Sequence, residues 1–353
     1  MHMILEEILK QVIREGASDI FIVTGQPISI RKDGAVRPMD DVRMMPPDTE
    51  DLLRQIYRQA ARDFSVLQSC GDDDFSLSIP GLSRFRVSAF KQRGTYCAVI
   101  RIITFELPDP ARLGIPEQIL SLPSAGKGMI LVTGPAGSGK STTLACMIHR
   151  INSTQQKHII TLEDPLEFLH RHNRSIVSQR EISVDTVSYV TALRAALRQS
   201  PDVILLGEMR DYETINVAMT AAETGHLLLS TLHTIGAANT ISRIIDVFPA
   251  NQQRQIQVQL SMVLSAVVSQ QLVPALDGGV TPAFEIMTVT PAIRNMIREN
   301  KIPQIEGAIY SSAKEGMISM DNSLLALYKD KKISKETALR YATNPELLGR
   351  KLV

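Results

Sequence analysis

The residues Gly134-Pro135-Ala136-Gly137-Ser138-Gly139-Lys140-Ser141 fit the pattern GxxxxGK(S/T). Glycines at these positions let the backbone curl until successive N–H groups face the oxygens of a phosphate chain. A helix opening behind the loop would add the positive end of its dipole. The Lys140 ammonium would reach the β- and γ-phosphates of a nucleotide, and the Ser141 hydroxyl would ligate Mg²⁺. Thr142 follows directly and joins the residues expected to hold ATP. The motif requires a strand before it and a helix after it. An apolar strand read over 129–133 and a helical stretch after Lys140 supply both.

Two acidic segments lie downstream. Val203-Ile204-Leu205-Leu206-Gly207-Glu208 is an apolar strand ending in a carboxylate, followed by Met209-Arg210-Asp211. Ile159-Ile160-Thr161-Leu162-Glu163-Asp164-Pro165 is a second strand ending in acids. In an open α/β sheet, ligands bind beyond the carboxyl ends of the strands. One carboxylate would orient the Mg²⁺ shell, partly through water, while the other orients or deprotonates the attacking water. A third strand, Gly225-His226-Leu227-Leu228-Leu229-Ser230-Thr231-Leu232-His233-Thr234, is bracketed by histidines. Its hydroxyl pair and His233 end beside the other strands, which suits a sensor of the γ-phosphate. His226 starts that strand at the far edge, where ligand contact and a structural role are equally open.

These residues need a scaffold that brings strand ends together. From Gly128 onward, short apolar strands alternate with helical stretches, as in a parallel sheet covered on both faces. Strands are expected over 129–133, 158–163, 203–206 and 226–231, and a long helix over 251–271. After Pro274 mostly short helices are expected, rich in Met and Lys. Upstream, an amphipathic helix is read over 3–15 with Ile4 on its apolar face. Strands follow over 20–23 and 28–31, with Lys32-Asp33-Gly34 as the turn. A helix from an Asp48 cap to about Leu67 comes next. Alternating segments over 74–79, 84–90 and 96–103 then complete a small antiparallel α+β domain ending near Phe105. Prolines 108, 110 and 116 stiffen a linker between the two parts.

The whole chain bounds the function class. Its 353 residues suit about two domains. With 38 basic and 37 acidic residues, the net charge of +1 gives no footprint for nucleic acid. Trp is absent, which leaves no base-stacking platform of the usual kind. Cys70, Cys97 and Cys146 are not spaced as metal ligands, so no zinc is expected and the thiols read as reduced. The apolar runs 129–132 and 262–268 are too short to span a bilayer. Glu6 and Glu7 interrupt the first helix, so it is not a signal peptide. A cytoplasmic protein without a transmembrane segment is expected, with membrane contact made through a partner.

Together, the phosphate loop, the Glu163-Asp164-Pro165 segment, Gly207-Glu208-Met209-Arg210-Asp211 and the strand from Gly225 to Thr234 resemble the secretion and pilus ATPase family. The resemblance extends to Gly16-Ala17-Ser18-Asp19-Ile20, to Gly25, Pro27 and Arg31, to the 72–75 stretch, and to Arg84-Phe85-Arg86. It implies an α/β fold: a RecA-like P-loop core with a smaller PAS-like α+β N-terminal domain, assembled as a homo-hexamer. The corresponding divisions are 1–106 for the PAS-like domain, 107–116 for the linker, 117–290 for the ATPase core and 291–353 for a C-terminal helical region. By the same resemblance Glu163 is the general base and Glu208 the Mg²⁺-shell acid, with Lys140 and His233 completing the catalytic set. Arginines reach the phosphates across the ring or from the N-terminal domain; the candidates are Arg86, Arg101, Arg198 and Arg210. The family often has His where this chain has Phe21, so a role for that histidine does not carry over.

Pro291-Ala292-Ile293-Arg294-Asn295-Met296-Ile297-Arg298-Glu299 resembles a segment of the branch that retracts type IV pili. Read by periodicity alone, it is an ordinary amphipathic helix with proline in its first turn. The cysteine module of pilus-assembly ATPases has no counterpart here. The resemblance therefore implies a motor that turns or shifts an inner-membrane platform protein and returns pilin to the membrane, working peripherally at the inner face of the cytoplasmic membrane. Rival readings are an ATPase of a secretion system without a pilus and a nucleotide-regulated scaffold. A P-loop small-molecule kinase is disfavoured, because no lid or acceptor-binding segment is visible.

Overall fold

The computed structural model describes residues 5–32, 34–103, 107–312 and 316–352. Ile4, Asp33 of the expected turn, and Phe105 at the expected end of the small domain lie outside the described residues. The chain divides into two compact units, residues 1–106 with 167–169, and residues 107–166 with 170–353.

The first unit contains α1 (Leu5–Arg14), β1 (Asp19–Ile22), β2 (Ser29–Lys32), β3 (Ala35–Pro38), α2 (Pro46–Gln59), α3 (Ser65–Cys70), β4 (Asp72–Ile79), β5 (Ser83–Gln92) and β6 (Thr95–Ile103). Among the described residues these strands pair antiparallel in the order β3-β2-β1-β6-β5-β4. Side chains alternate across a strand. Phe85, Val87 and Ala89 of β5 accordingly join Leu9, Val12, Leu53 and Ile56 of the helices in one core. The opposite face is polar, and there Arg86 stands directly across from Arg101.

The helix expected from Asp48 to Leu67 is two helices. Met45 precedes α2, Pro46 takes its first position, and Asp48 sits one turn in, where its Oδ2 accepts the Met45 N–H at 2.8 Å. The break follows Ala61, whose φ of 50° is left-handed and cannot continue a helix.

The second unit contains α4 (Glu117–Ser121), β7 (Gly128–Thr133), α5 (Lys140–Thr154), β8 (His158–Glu163), β9 (Ile176–Glu181), α6 (Tyr189–Ala196), β10 (Val203–Leu206), α7 (Tyr212–Glu223), β11 (Leu227–Leu232), α8 (Ala237–Asp246), α9 (Ala250–Val263), β12 (Leu264–Pro274), β13 (Val280–Thr288), α10 (Pro291–Arg298), α11 (Ile305–Ser311), α12 (Met320–Lys329), α13 (Lys335–Tyr341) and α14 (Pro345–Gly349). Among the described residues the sheet order is β13-β12-β7-β11-β10-β8-β9. All neighbours are parallel except β13, which pairs antiparallel with β12. Met129 and Leu131 of β7 pack with Leu193, Ile215, Ile241 and Leu260 from helices on one face. Ile130 and Val132 pack with Leu144, Ile148 and Ile151 of α5 on the other. A strand buried on both sides must be apolar throughout, which is why these segments are continuous apolar runs.

The helix expected over 251–271 ends at Val263, and the rest is β12. A short apolar run buried on both faces has no periodicity to separate strand from helix; pairing with β7 decides it. The chain after Pro274 is likewise not helical at once. Asp277-Gly278-Gly279 turns it back into β13, with Ala275 N–H donating to the Gly279 carbonyl at 2.9 Å. Beyond this hairpin, Leu324, Ile333, Ala338 and Leu348 of the C-terminal helical layer pack on Val273 and Ala283.

Candidate active site

The strand order puts the C-terminal ends of β7, β11, β10 and β8 side by side, and each delivers one candidate segment. β7 leads into the glycine loop and then α5, with Gly139 as the residue before the helix. Gly134 has φ 140°, and a Cβ there would collide with the Gln270 carbonyl oxygen of β12. Only glycine lets the loop lie so close to its neighbouring strand. The Lys140 ammonium donates to the loop's own carbonyls, Gly134 O at 2.9 Å and Pro135 O at 2.8 Å. It is buried there. Neutral carbonyls are weak partners for a buried cation, and an anion in the loop would be a far better one. The Ser138 hydroxyl is also buried and has no hydrogen-bond partner. Pro135, Ala136 and Gly137 are exposed on the loop, and Ser141 and Thr142 form the half-buried first turn of α5.

Gln270 was not foreseen. Its side chain closes against the loop from β12, with Oε1 accepting the Thr143 hydroxyl at 2.7 Å. A cavity of about 520 Å³ opens beside it, lined by Gly139, Thr142 and Thr143, by residues 111–115, by the β12–β13 hairpin and by Lys331 and Lys332. That volume suits a small molecule.

Glu163 ends β8, half-buried, and the Gln179 amide of β9 lies 3.5 Å from its Oε1. Glu208 follows β10 across Gly207. Its Oε2 accepts Arg210 Nε at 2.7 Å and lies 3.6 Å from His233 Nε2. Glu208, Arg210 and His233 thus form one cluster. Tyr189, at the start of α6, is a second residue that sequence reasoning missed. Its hydroxyl lies against Gly207. Burial, and then the charges of Glu208, Asp164 and Glu163, push the phenol well above its ordinary range, so it stays a neutral donor among three acids. No motif marks a lone tyrosine; its position comes from the packing of α6.

Two expectations change. The Ser230 and Thr231 hydroxyls do not face the site: they donate to the Leu206 and Gly207 carbonyls at 2.7 and 2.6 Å and stitch β11 to the end of β10. His226 lies before β11, its Nδ1 3.0 Å from the Ala221 carbonyl and 3.1 Å from the Thr224 hydroxyl, which is a structural position. Arg198 sits between α6 and the start of β10, at the opposite edge of the sheet from the loop, so it does not join this cluster within its own chain. In the first unit, Arg101 Nε donates to Asp19 Oδ1 at 2.9 Å while Arg86 is exposed beside it.

Mg²⁺ takes hard oxygen ligands and keeps several waters. The Ser141 hydroxyl and the Glu163 and Glu208 carboxylates are donors of that kind. Among the described residues no three acidic, His or Cys side chains gather into a cage of their own. A metal here would therefore share its shell with substrate oxygens.

A family model described as Type II/IV secretion system protein matches residues 1–296. The chain is 44% identical over 343 residues to the type IV pilus retractation ATPase PilT of Pseudomonas aeruginosa, covering 97% of this chain and 99% of that one. It is 44% identical over 321 residues to a twitching motility protein of Neisseria gonorrhoeae, covering 91% of this chain and 85% of that one. Among solved structures, the crystal structure of the pilus retraction motor PilT with bound ADP is similar at a TM-score of 0.88 and 45% identity, covering 98% of this chain and 99% of that one.

Proposed function

The chain belongs to the Type II/IV secretion system protein family, and from that premise we propose that it is an ATP-hydrolysing motor that drives type IV pilus retraction and so twitching motility. The observation that carries this reading is likeness to a pilus retraction ATPase along nearly the whole of both chains. The phosphate loop and two strand-end carboxylates support it.

The phosphates of ATP occupy the loop of residues 134–142. Lys140 exchanges the Gly134 and Pro135 carbonyls for β- and γ-phosphate oxygens. The nucleoside takes the cavity beside Thr142 and Gln270. Ser141 and Glu208 are the residues that would hold Mg²⁺, which when bound would neutralise charge on the phosphates. Glu163 orients the attacking water and accepts its proton. Glu208 holds Arg210 and His233 toward the γ-phosphate, and Tyr189 supplies a neutral donor beside the acids. Arg86 and Arg101 present two like charges on one sheet face, and among the described residues Arg101 alone of the two faces an acid, Asp19. An anion between them relieves that repulsion. With Arg198 they are the arginines that reach ATP from the N-terminal domain or from a neighbouring copy.

The motor acts as a homo-hexamer, in the cytoplasm at the inner face of the membrane, on an inner-membrane platform protein. Among the described residues no helix is long and apolar enough to cross a membrane, so such contact runs through a partner.

Deleting the gene in its native host tests the reading, with pili counted by electron microscopy and surface motility scored. Many pili without motility is the expected result. Bald cells would make it an assembly motor, and unchanged pili would move it to a secretion system.

A further inference from the structure

Glu285 stands on β13 with only 7% of its surface exposed. Its Oε1 accepts the N–H of Ala237, the first residue of α8, at 2.8 Å. The backbone of Met320, the first residue of α12, also favours the charged form of this carboxylate. Helix starts carry unpaired N–H groups and a partial positive charge. Glu285 answers the one at α8 directly.

What hangs from α8 makes this more than a cap. The loop between β11 and α8 carries His233, whose ring faces Glu208. Gly236 N–H donates to Ser269 Oγ of β12 at 2.9 Å, and the Thr234 and Thr240 hydroxyls meet at 2.7 Å. Ser269 is the sequence neighbour of Gln270, which closes on the phosphate loop. On the other side, α12 belongs to the C-terminal layer, which also pairs with β13 through Ile286 and Ile318. Burial drives the Glu285 carboxyl upward; the backbones of Ala237 and Met320 pull it back, and Glu306 and Asp321 push it up again. A buried acid in such company is a costly way to fill space.

We infer that Glu285 is a positioning residue for His233, acting through the start of α8, and that it ties the His233 loop to the C-terminal helical layer. The inference rests on the ATPase reading above. Glutamine has the same shape but no charge, so Glu285→Gln replaces the charge-assisted hydrogen bond at the start of α8 with a weaker neutral one.

The test is steady-state ATPase kinetics on the full chain, with Glu285→Gln, His233→Gln and the double variant. Glu285→Gln is expected to lower kcat on the order of tenfold to hundredfold through misplacement of His233. ADP affinity stays within about twofold, because the phosphate loop is untouched. In the His233→Gln background, Glu285→Gln should add no further loss, since residues that act as a unit are not additive. Losses that multiply would overturn the inference, as would an unchanged kcat in Glu285→Gln. Should Glu285→Gln fail to fold, Glu285→Asp carries the same test: it keeps the charge but is one methylene too short to hold the Ala237 N–H. A wild-type chain that does not hydrolyse ATP would overturn the functional reading itself, and this inference with it.

Discussion

At the scale of single residues, the site separates binding from turnover. On the proposed reading Lys140 and the loop N–H groups would hold phosphates, whereas Glu163 would have no part in that grip. Glu163→Gln should therefore keep its affinity for ADP while kcat falls by about 10²- to 10⁴-fold. Calorimetry and phosphate release measure the two effects separately. Lys140→Ala should instead lose nucleotide binding. Gly134→Ala should also abolish binding in a chain that still folds, because the added methyl meets the Gln270 backbone. Retained ADP binding in that variant would mean the loop does not need its close approach to β12. Most of these residues are legible in the sequence, since a phosphate cradle is a local property of a short backbone run. Gln270 and Tyr189 are not, because nothing near them in sequence states what they will face.

At the scale of elements, the first unit depends on a polar contact inside its core. Asp73 on β4 is buried and accepts Arg62 Nη2 at 2.6 Å, Arg62 Nε at 2.8 Å and the Tyr57 hydroxyl at 2.9 Å. Burial by itself would raise the carboxyl, but the hydrogen bonds from Arg62 and Tyr57 and the guanidinium charge hold it below its ordinary value. A depressed pKa in the folded state gives stability that is fully present above the unfolded value near pH ~4. That stability is lost as pH falls through the folded pKa. Arg62 is partly hydrated, so Asp73→Asn should cost about 2 kcal/mol rather than more. It should also flatten the acid limb of stability against pH. Circular dichroism melts across pH 2 to 7, read as order-of-magnitude slopes, check both points. The break between α2 and α3 and the β12–β13 hairpin show where element boundaries escape the sequence. Helical and buried-strand patterns coincide over short apolar runs, and only the pairing partner separates them.

At the scale of the whole molecule, the reading requires copies. Arg198 lies at the opposite end of the sheet from the loop of its own chain, so on this reading it would meet ATP across a subunit boundary. Native mass spectrometry with nucleotide present should find an assembly six times 39.0 kDa. Arg198→Ala should leave ADP affinity nearly unchanged and lower kcat by about tenfold or more, as expected of an arginine that serves the transition state. An active monomer would remove the basis for a role across subunits.

The sequence by itself determined the chemistry: a phosphate loop, two strand-end acids and a histidine, each set by contiguous residues whose backbone and charge act locally. It also led to the expectation of two parts joined by a proline-stiffened linker, because composition and period change there. Only the tertiary structure decided that the Ser230 and Thr231 hydroxyls stitch β11 to the end of β10 and that His226 packs against the end of α7. It alone placed Gln270 and Tyr189 at the site and set Glu285 on the start of α8. Those outcomes depend on which distant segments pair, and pairing is settled by burial across the whole sheet, which no short stretch of sequence encodes.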